Sequence, residues 1–105
     1  MKEISVKELK AKLDAKENIQ VIDIREPYEA EICEIGAELI PMGDIMDQTD
    51  KIKKDVPVVI HCRSGKRSAA VILALESNFG FTNLYNLKGG ILAWADEIDP
   101  TMSKY

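Results

Sequence analysis

The sequence predicts an α/β fold, a mainly parallel central sheet with helices on both faces. Two short runs, IQVIDI (residues 19–24) and VPVVIH (56–61), are apolar and largely β-branched at successive positions, as in strands covered on both sides. Stretches with helical periodicity alternate with these runs, and strands alternating with helices build parallel sheets through crossover connections. The chain has 105 residues, of which 46% are hydrophobic. Folding at that size buries roughly 60–70% of the unfolded surface, so one domain over residues 1–105 with a real core is expected.

Each element has its own signal. Ser5 and Glu8 stand at capping-box spacing, and Val6, Leu9 and Leu13 repeat on one face, which predicts a helix over 6–14. IQVIDI follows as a strand ending at Asp23 and Ile24. REPYEAEIC (25–33) reads as a short helix, with Pro27 near its start, where a missing N–H is tolerated. ELIP (38–41) is a short strand stopped by Pro41, and MGDIMDQTDKIKK (42–54) reads as an amphipathic helix. VPVVIH is the clearest strand and is expected at the centre of the sheet. SAAVILALESNFG (68–80) is a helix closing on Gly80, and its seven successive apolar residues, Ala69 to Leu75, predict burial in the core. NLYNL (83–87) supplies another strand, and GGILAWADEID (89–99) a last helix ended by Pro100, with Trp94 in its apolar stripe.

Charge and cysteine usage exclude several classes. The formal net charge is -4, whereas a protein that grips nucleic acid normally carries a basic face, so no nucleic-acid partner is expected. No segment approaches the length of a membrane span, and the N-terminal MKEISVKELK lacks the apolar stretch of a secretory signal. Two cysteines do not make a disulfide framework, so a cytoplasmic protein with reduced thiols is expected, without membrane partners.

One stretch stands against that acidic background. Only three arginines occur, Arg25, Arg63 and Arg67, and two of them lie with Lys66 just after Cys62 in VVIHCRSGKRSAAVILAL. Cys62 falls where a buried strand ends and a helix is about to start, the edge of a parallel sheet where ligands bind. In the segment CRSGKRS, successive backbone N–H groups can curl around an anion, with Gly65 free to take a positive φ, and the helix adds its positive end. Each effect favours thiolate over thiol, so Cys62 is expected to be a nucleophile at the floor of an anion cradle. Arg63, Ser64, Gly65, Lys66, Arg67 and Ser68 are the expected substrate-binding positions. His61, the only histidine, neighbours Cys62 in a strand, so their side chains diverge and a Cys–His dyad is disfavoured. No paired cysteine spacing supports a metal site, and no cofactor is expected.

Three segments together resemble the rhodanese-like sulfurtransferase domains. VVIHCRSGKRS is similar to their active-site segment, a cysteine opening a six-residue loop of the form Cys-Arg-x-Gly-x-Arg. VIDIREPYEAE resembles their first motif, Asp-x-Arg-x-x-x-Glu after a strand, here Asp23, Arg25 and Glu29. NLYNLKGGILAW resembles their closing motif of strand, Gly-Gly turn and tryptophan-bearing helix. The chain is also similar to the rhodanese domain at the C-terminus of some bacterial enzymes that activate sulfur-carrier proteins. It departs from the family at Glu34-Ile35-Gly36-Ala37, where many members carry a histidine and one more residue. The resemblance implies a thiosulfate sulfurtransferase working through a Cys62 persulfide. A small sulfur-containing anion such as thiosulfate is then the donor, and a sulfur-carrier or thiol protein the acceptor.

Other residues have structural readings. Asp23 with Arg25 is expected as an ion pair, Cys33 as a packed thiol, and Lys51, Lys53 and Lys54 as a solvated face. Gly89 and Gly90 are expected at a helix entry that lets the chain approach the cradle. A cysteine-dependent phosphatase is the rival enzyme, but those enzymes place an arginine six positions after the cysteine, and Arg67 comes five after Cys62. A non-catalytic interaction module on the same fold is the third reading; with Cys62 present it requires partners bound through other surfaces, and it stays open as a second role.

Overall fold

The computed structural model of the chain describes residues 1–105. In chain order the elements are β1 (Glu3–Ile4), α1 (Val6–Asp14), β2 (Gln20–Asp23), α2 (Pro27–Ile32), β3 (Glu38–Leu39), β4 (Val58–His61), α3 (Lys66–Phe79), β5 (Leu84–Leu87) and α4 (Gly90–Glu97). All five strands pair in parallel, in the order β1-β5-β4-β2-β3. The two strongest apolar runs therefore lie side by side at the centre, β4 against β2, as their two-sided hydrophobicity requires.

Alternation along β4 divides the core. Val58 and Ile60 face Val71, Ile72 and Leu75 of α3, together with Ile45 and Ile52. Val59 faces the other way, onto Val6 and Leu9 of α1 and Trp94 of α4. Helices cover both faces, as expected for an α/β sheet. The start of α1 is fixed by a full capping box: Glu8 N–H donates to Ser5 Oγ, and Ser5 N–H to Glu8 Oε1, each at 3.1 Å. Gly80 ends α3 with φ 72°, the left-handed conformation that favours glycine. No helix is long and apolar enough to cross a membrane.

Two expectations are corrected, and one strand had no expectation attached to it. Strand β1 pairs Glu3 with Asn86 and Ile4 with Leu87, and two residues are too few to show a period. Residues 42–54 do not form an amphipathic helix but two single 3-10 turns, Ile45–Asp47 and Thr49–Lys51. Gln20 on β2 holds the end of this segment. Its amide donates to Lys51 O and accepts from Lys53 N–H, both at 2.8 Å. Helix α3 begins at Lys66 rather than Ser68, and it is buried along one side rather than packed in the core all round. Its buried stripe is Ser68, Val71, Ile72 and Leu75, while Leu73 is 55% exposed.

The Gly89–Gly90 entry to α4 does bring two segments into contact. Gly90 has φ 59°, and a Cβ there would come within 2.6 Å of Arg63 C and 2.7 Å of Cys62 O. Backbone on both sides leaves nothing flexible to yield. Gly90→Ala is expected to destabilise the fold by about 2–4 kcal/mol, read as a lower urea midpoint with unchanged slope.

Candidate active site

Cys62 is the first residue beyond β4, on the same face as Ile60 and beneath the start of α3. It is 1% exposed. Gly65, at φ 102°, turns the chain so that its N–H donates to Cys62 Sγ at 3.1 Å, and the Ser68 N–H reaches the same sulfur at 3.5 Å. The Ser68 hydroxyl lies 3.4 Å from the sulfur. Burial pushes the Cys62 thiol up. Hydrogen bonds from the Ser68 hydroxyl and from the N–H groups of Ser68, Gly65 and Ser64 outweigh it, and the thiol sits below its ordinary value.

The loop is held from three directions. From α4, Ile91 N–H donates to Cys62 O at 3.0 Å and Leu92 N–H to Arg63 O at 3.2 Å. From β5, Asn86 Nδ2 donates to Gly65 O at 3.1 Å, and Asn86 Oδ1 accepts from the Ser68 hydroxyl at 2.5 Å. From α2, Glu29 takes both guanidinium nitrogens of Arg67, Nη1 to Oε1 and Nη2 to Oε2, each at 2.8 Å. Glu29 also accepts from the Tyr105 hydroxyl at 2.7 Å and from Glu26 N–H at 3.1 Å. The Arg67 fork, against the effect of burial and with help from Tyr105 and Glu26, holds the Glu29 carboxyl at about 2 rather than 4.5.

The structure brings together the residues singled out in CRSGKRS, in different states of engagement. Ser68 is fully buried beside the sulfur and Gly65 turns the loop. Arg67 is tied to Glu29. Arg63, Ser64 and Lys66 are exposed on the rim. The Arg63 guanidinium stands 5.0 Å from the Tyr105 ring centroid. Lys66 and Arg67 occupy the first turn of α3, where a cation opposes the helix dipole by about 0.3–1 kcal/mol. Cations in that place make sense if an anion belongs in front of the helix.

Asp23 and Arg25 form a buried ion pair, Nη2 to Oδ2 at 2.7 Å. Arg25 also donates to Cys33 O at 2.8 Å and to the Tyr105 hydroxyl at 3.0 Å, and Cys33 itself is half-buried. His61 turns away from the sulfur. Its Nδ1 lies 3.3 Å from Cys62 O, its Nε2 lies 3.8 Å from Asp23 Oδ2 without a hydrogen-bond partner, and burial holds its basicity down.

Sequence reasoning gave no role to Glu29, Asn86 or Tyr105. Glu29 was visible as the last residue of Asp-x-Arg-x-x-x-Glu, and Asn86 as a polar residue inside an apolar strand, either of which could have prompted a search for a partner. Nothing in the sequence points to Tyr105.

The family model for the rhodanese-like domain matches residues 5–97. The chain belongs to the rhodanese-like domain family. The putative sulfurtransferase YtwF of Bacillus subtilis is 42% identical to it over 101 residues, covering 95% of this chain and 96% of that protein. The probable adenylyltransferase/sulfurtransferase MoeZ of Mycobacterium tuberculosis is 37% identical over 105 residues, 97% of this chain and 26% of that protein. The chain thus spans about a quarter of the length of the first curated relatives it matches. Among solved structures, a rhodanese-like domain protein from Staphylococcus aureus is 36% identical with a TM-score of 0.83, covering 100% of this chain and 99% of the other. Where this rhodanese-like domain departs from the family pattern, Gly36 takes φ 80° and its N–H donates to Glu34 Oε2 at 2.7 Å, closing a turn that leads into β3.

The Glu29–Arg67 tie has a pH signature. A carboxyl lowered from 4.5 to about 2 adds stability that is present above 4.5 and is lost as the pH falls toward 2. Glu29→Gln is expected to lower unfolding free energy by about 2 kcal/mol at neutral pH, with the gap to the parent protein closing across that acid window. Urea titrations at a series of pH values read the gap. A gap that stays constant down to pH 2 contradicts the assignment.

Proposed function

We propose that this rhodanese-like domain is a sulfurtransferase that carries sulfane sulfur as a persulfide on Cys62. The observation that carries the reading is the buried Cys62 sulfur, held by two backbone N–H groups at the start of α3 under a cationic rim. Such a site lowers the energy of a thiolate and of anionic species that replace it. The relatives named as sulfurtransferases support the same class of reaction.

With thiosulfate as donor, the Cys62 thiolate attacks the outer sulfur. A sulfur–sulfur bond to Cys62 forms, the bond to the sulfonate group breaks, and sulfite leaves with the electron pair. A nucleophile then attacks the outer sulfur of the persulfide, takes it, and returns Cys62 as thiolate. Cyanide would leave as thiocyanate, and a thiolate on a sulfur-carrier or thiol protein would leave as a new persulfide. Charge is conserved in each step, and no oxidant enters. Arg63 and Lys66, which face solvent and join no salt bridge, are the cations free to meet the donor, whereas Arg67 is occupied by Glu29. Against the phosphatase reading stands the loop length, since Arg67 comes five positions after Cys62 and not six.

Incubation with thiosulfate is expected to raise the intact mass by one sulfur atom, and cyanide to remove it. Cys62→Ser should abolish the gain and Cys33→Ser should leave it, so equal loss in both variants rules out a single-cysteine carrier. Donor binding and thiol activation should also separate. Arg63→Ala and Lys66→Ala are each expected to raise the KM for thiosulfate about two- to fivefold, the worth of one exposed charge pair. A neutral alkylating agent should still modify Cys62 at nearly the parent rate, because the backbone donors survive both changes. High salt should imitate the variants by screening the same charges. Alkylation that falls in step with sulfur transfer would contradict this division.

A further inference from the structure

The Ser68 hydroxyl has one proton and two neighbours able to take it. Asn86 Nδ2 donates to Gly65 O at 3.1 Å, which fixes the amide orientation and turns Oδ1 toward Ser68. Oδ1 can only accept, so at 2.5 Å it takes the hydroxyl proton. Ser68 Oγ then presents a lone pair to Cys62 Sγ, 3.4 Å away. A thiol satisfies that lone pair by donating its own S–H. A thiolate cannot donate, and the hydroxyl must then divide its proton between two acceptors. Asn86 is 5% exposed, Cys62 1% and Ser68 0%, so the three side chains settle the matter with little solvent.

We propose that Asn86 is a positioning residue for Cys62: it holds the Ser68 proton while the sulfur is a thiol and competes for it when the sulfur is an anion. The functional meaning rests on Cys62 being the sulfur carrier, while the competition itself belongs to the resting protein. Its consequence is kinetic. A hydroxyl donor fixed on the sulfur would stabilise the thiolate further, and nucleophilicity falls as thiol pKa falls. Asn86 leaves the thiolate with its backbone donors at full strength and the hydroxyl only in part. Once the outer sulfur is attached, the inner sulfur is no longer anionic and the proton returns to Asn86.

The other charges around Cys62 leave this pair distinct. Arg67 on α3 is neutralised by Glu29 of α2, and Arg63 and Lys66 are exposed on the loop. From α4, the uncharged Gly90 and Ile91 approach the loop. His61 and Asp23 meet on the opposite side of β4.

The test is the thiol pKa of Cys62, read from the pH dependence of iodoacetamide alkylation in a Cys33→Ser background so that one thiol reports. Asn86→Ala frees the Ser68 proton for the sulfur and is expected to move the midpoint down by about half to one pH unit, the worth of a shared hydrogen bond. Asn86→Val, a β-branched residue suited to a strand, must move it the same way and serves if the alanine variant folds poorly. Adding either change to Ser68→Ala should produce no further movement, since no proton remains to redirect. An upward movement in the Asn86 variants, as from a loosened loop, overturns the proposal, and so does a downward one that persists without Ser68. No sulfur donor is used, so failure here is separable from failure of the persulfide assay.

Discussion

A buried sulfur that must become an anion imposes one requirement on everything around it: backbone N–H groups have to point inward. Turning them inward turns the loop carbonyls outward, and each buried carbonyl needs a donor of its own. Those of Cys62 and Arg63 receive Ile91 and Leu92 N–H from the first turn of α4. That of Gly65 receives Ala69 N–H from α3 and Nδ2 of Asn86. The strand order follows from the same need. With β5 beside β4, Asn86 and the Gly89–Gly90 entry arrive next to the loop, and Gly90 lacks a side chain because the Cys62–Arg63 peptide fills the space.

The three arginines serve two ends. Arg25 is fully buried, shares Asp23 in a near-bidentate pair, and donates to two backbone carbonyls, so its charge is spent inside the protein. Such a pair adds little net stability over apolar residues of the same shape, yet losing one partner would strand the other. Its return is geometric, because it fixes the turn from β2 into α2 and thereby the position of Glu29. Glu29 in turn holds Arg67 in the first turn of α3. Tyr105 closes the set, accepting from Arg25, donating to Glu29 and offering its ring to Arg63. Only Arg63 and Lys66 keep their charge directed outward.

The fold was legible where a signal is local and repeated. The capping box at Ser5 and Glu8, the apolar runs of β2 and β4, and glycine after α3 each act within a few residues, and each element formed where they indicated. The loop was legible for the same reason: cysteine, cations and glycine fall within seven positions, Cys62 to Ser68. What escaped depends on contacts distant in the chain. Strand β1 exists only because β5 is beside it. In place of the helix expected over 42–54 are two short turns, the second followed by a tie to Gln20 of β2, more than thirty residues away from Lys51 and Lys53. Seven apolar residues in α3 suggested burial all round, but a helix on the face of a sheet has an outer side, where Leu73 sits in water. Glu29 and Tyr105 meet across 76 residues, a pairing that no spacing announces.

The loop positions thus divide into those the fold holds and those it leaves free. Gly65 is held by its backbone conformation and its carbonyl partner, Arg67 by Glu29, and Ser68 by Asn86 and the sulfur. Changing any of these alters how the sulfur is presented. Arg63, Ser64 and Lys66 face solvent, with the Arg63 guanidinium over the Tyr105 ring. Activation of the thiol comes from backbone donors and buried side chains, which do not depend on the rim. In the proposed reaction, recognition of whatever brings or removes sulfur would fall to the rim, where a substitution of about 0–1 kcal/mol would change an affinity without moving the nucleophile. Under the proposed function, the same cradle would keep one chemistry at its floor while its three outward positions were fitted to different donors and acceptors.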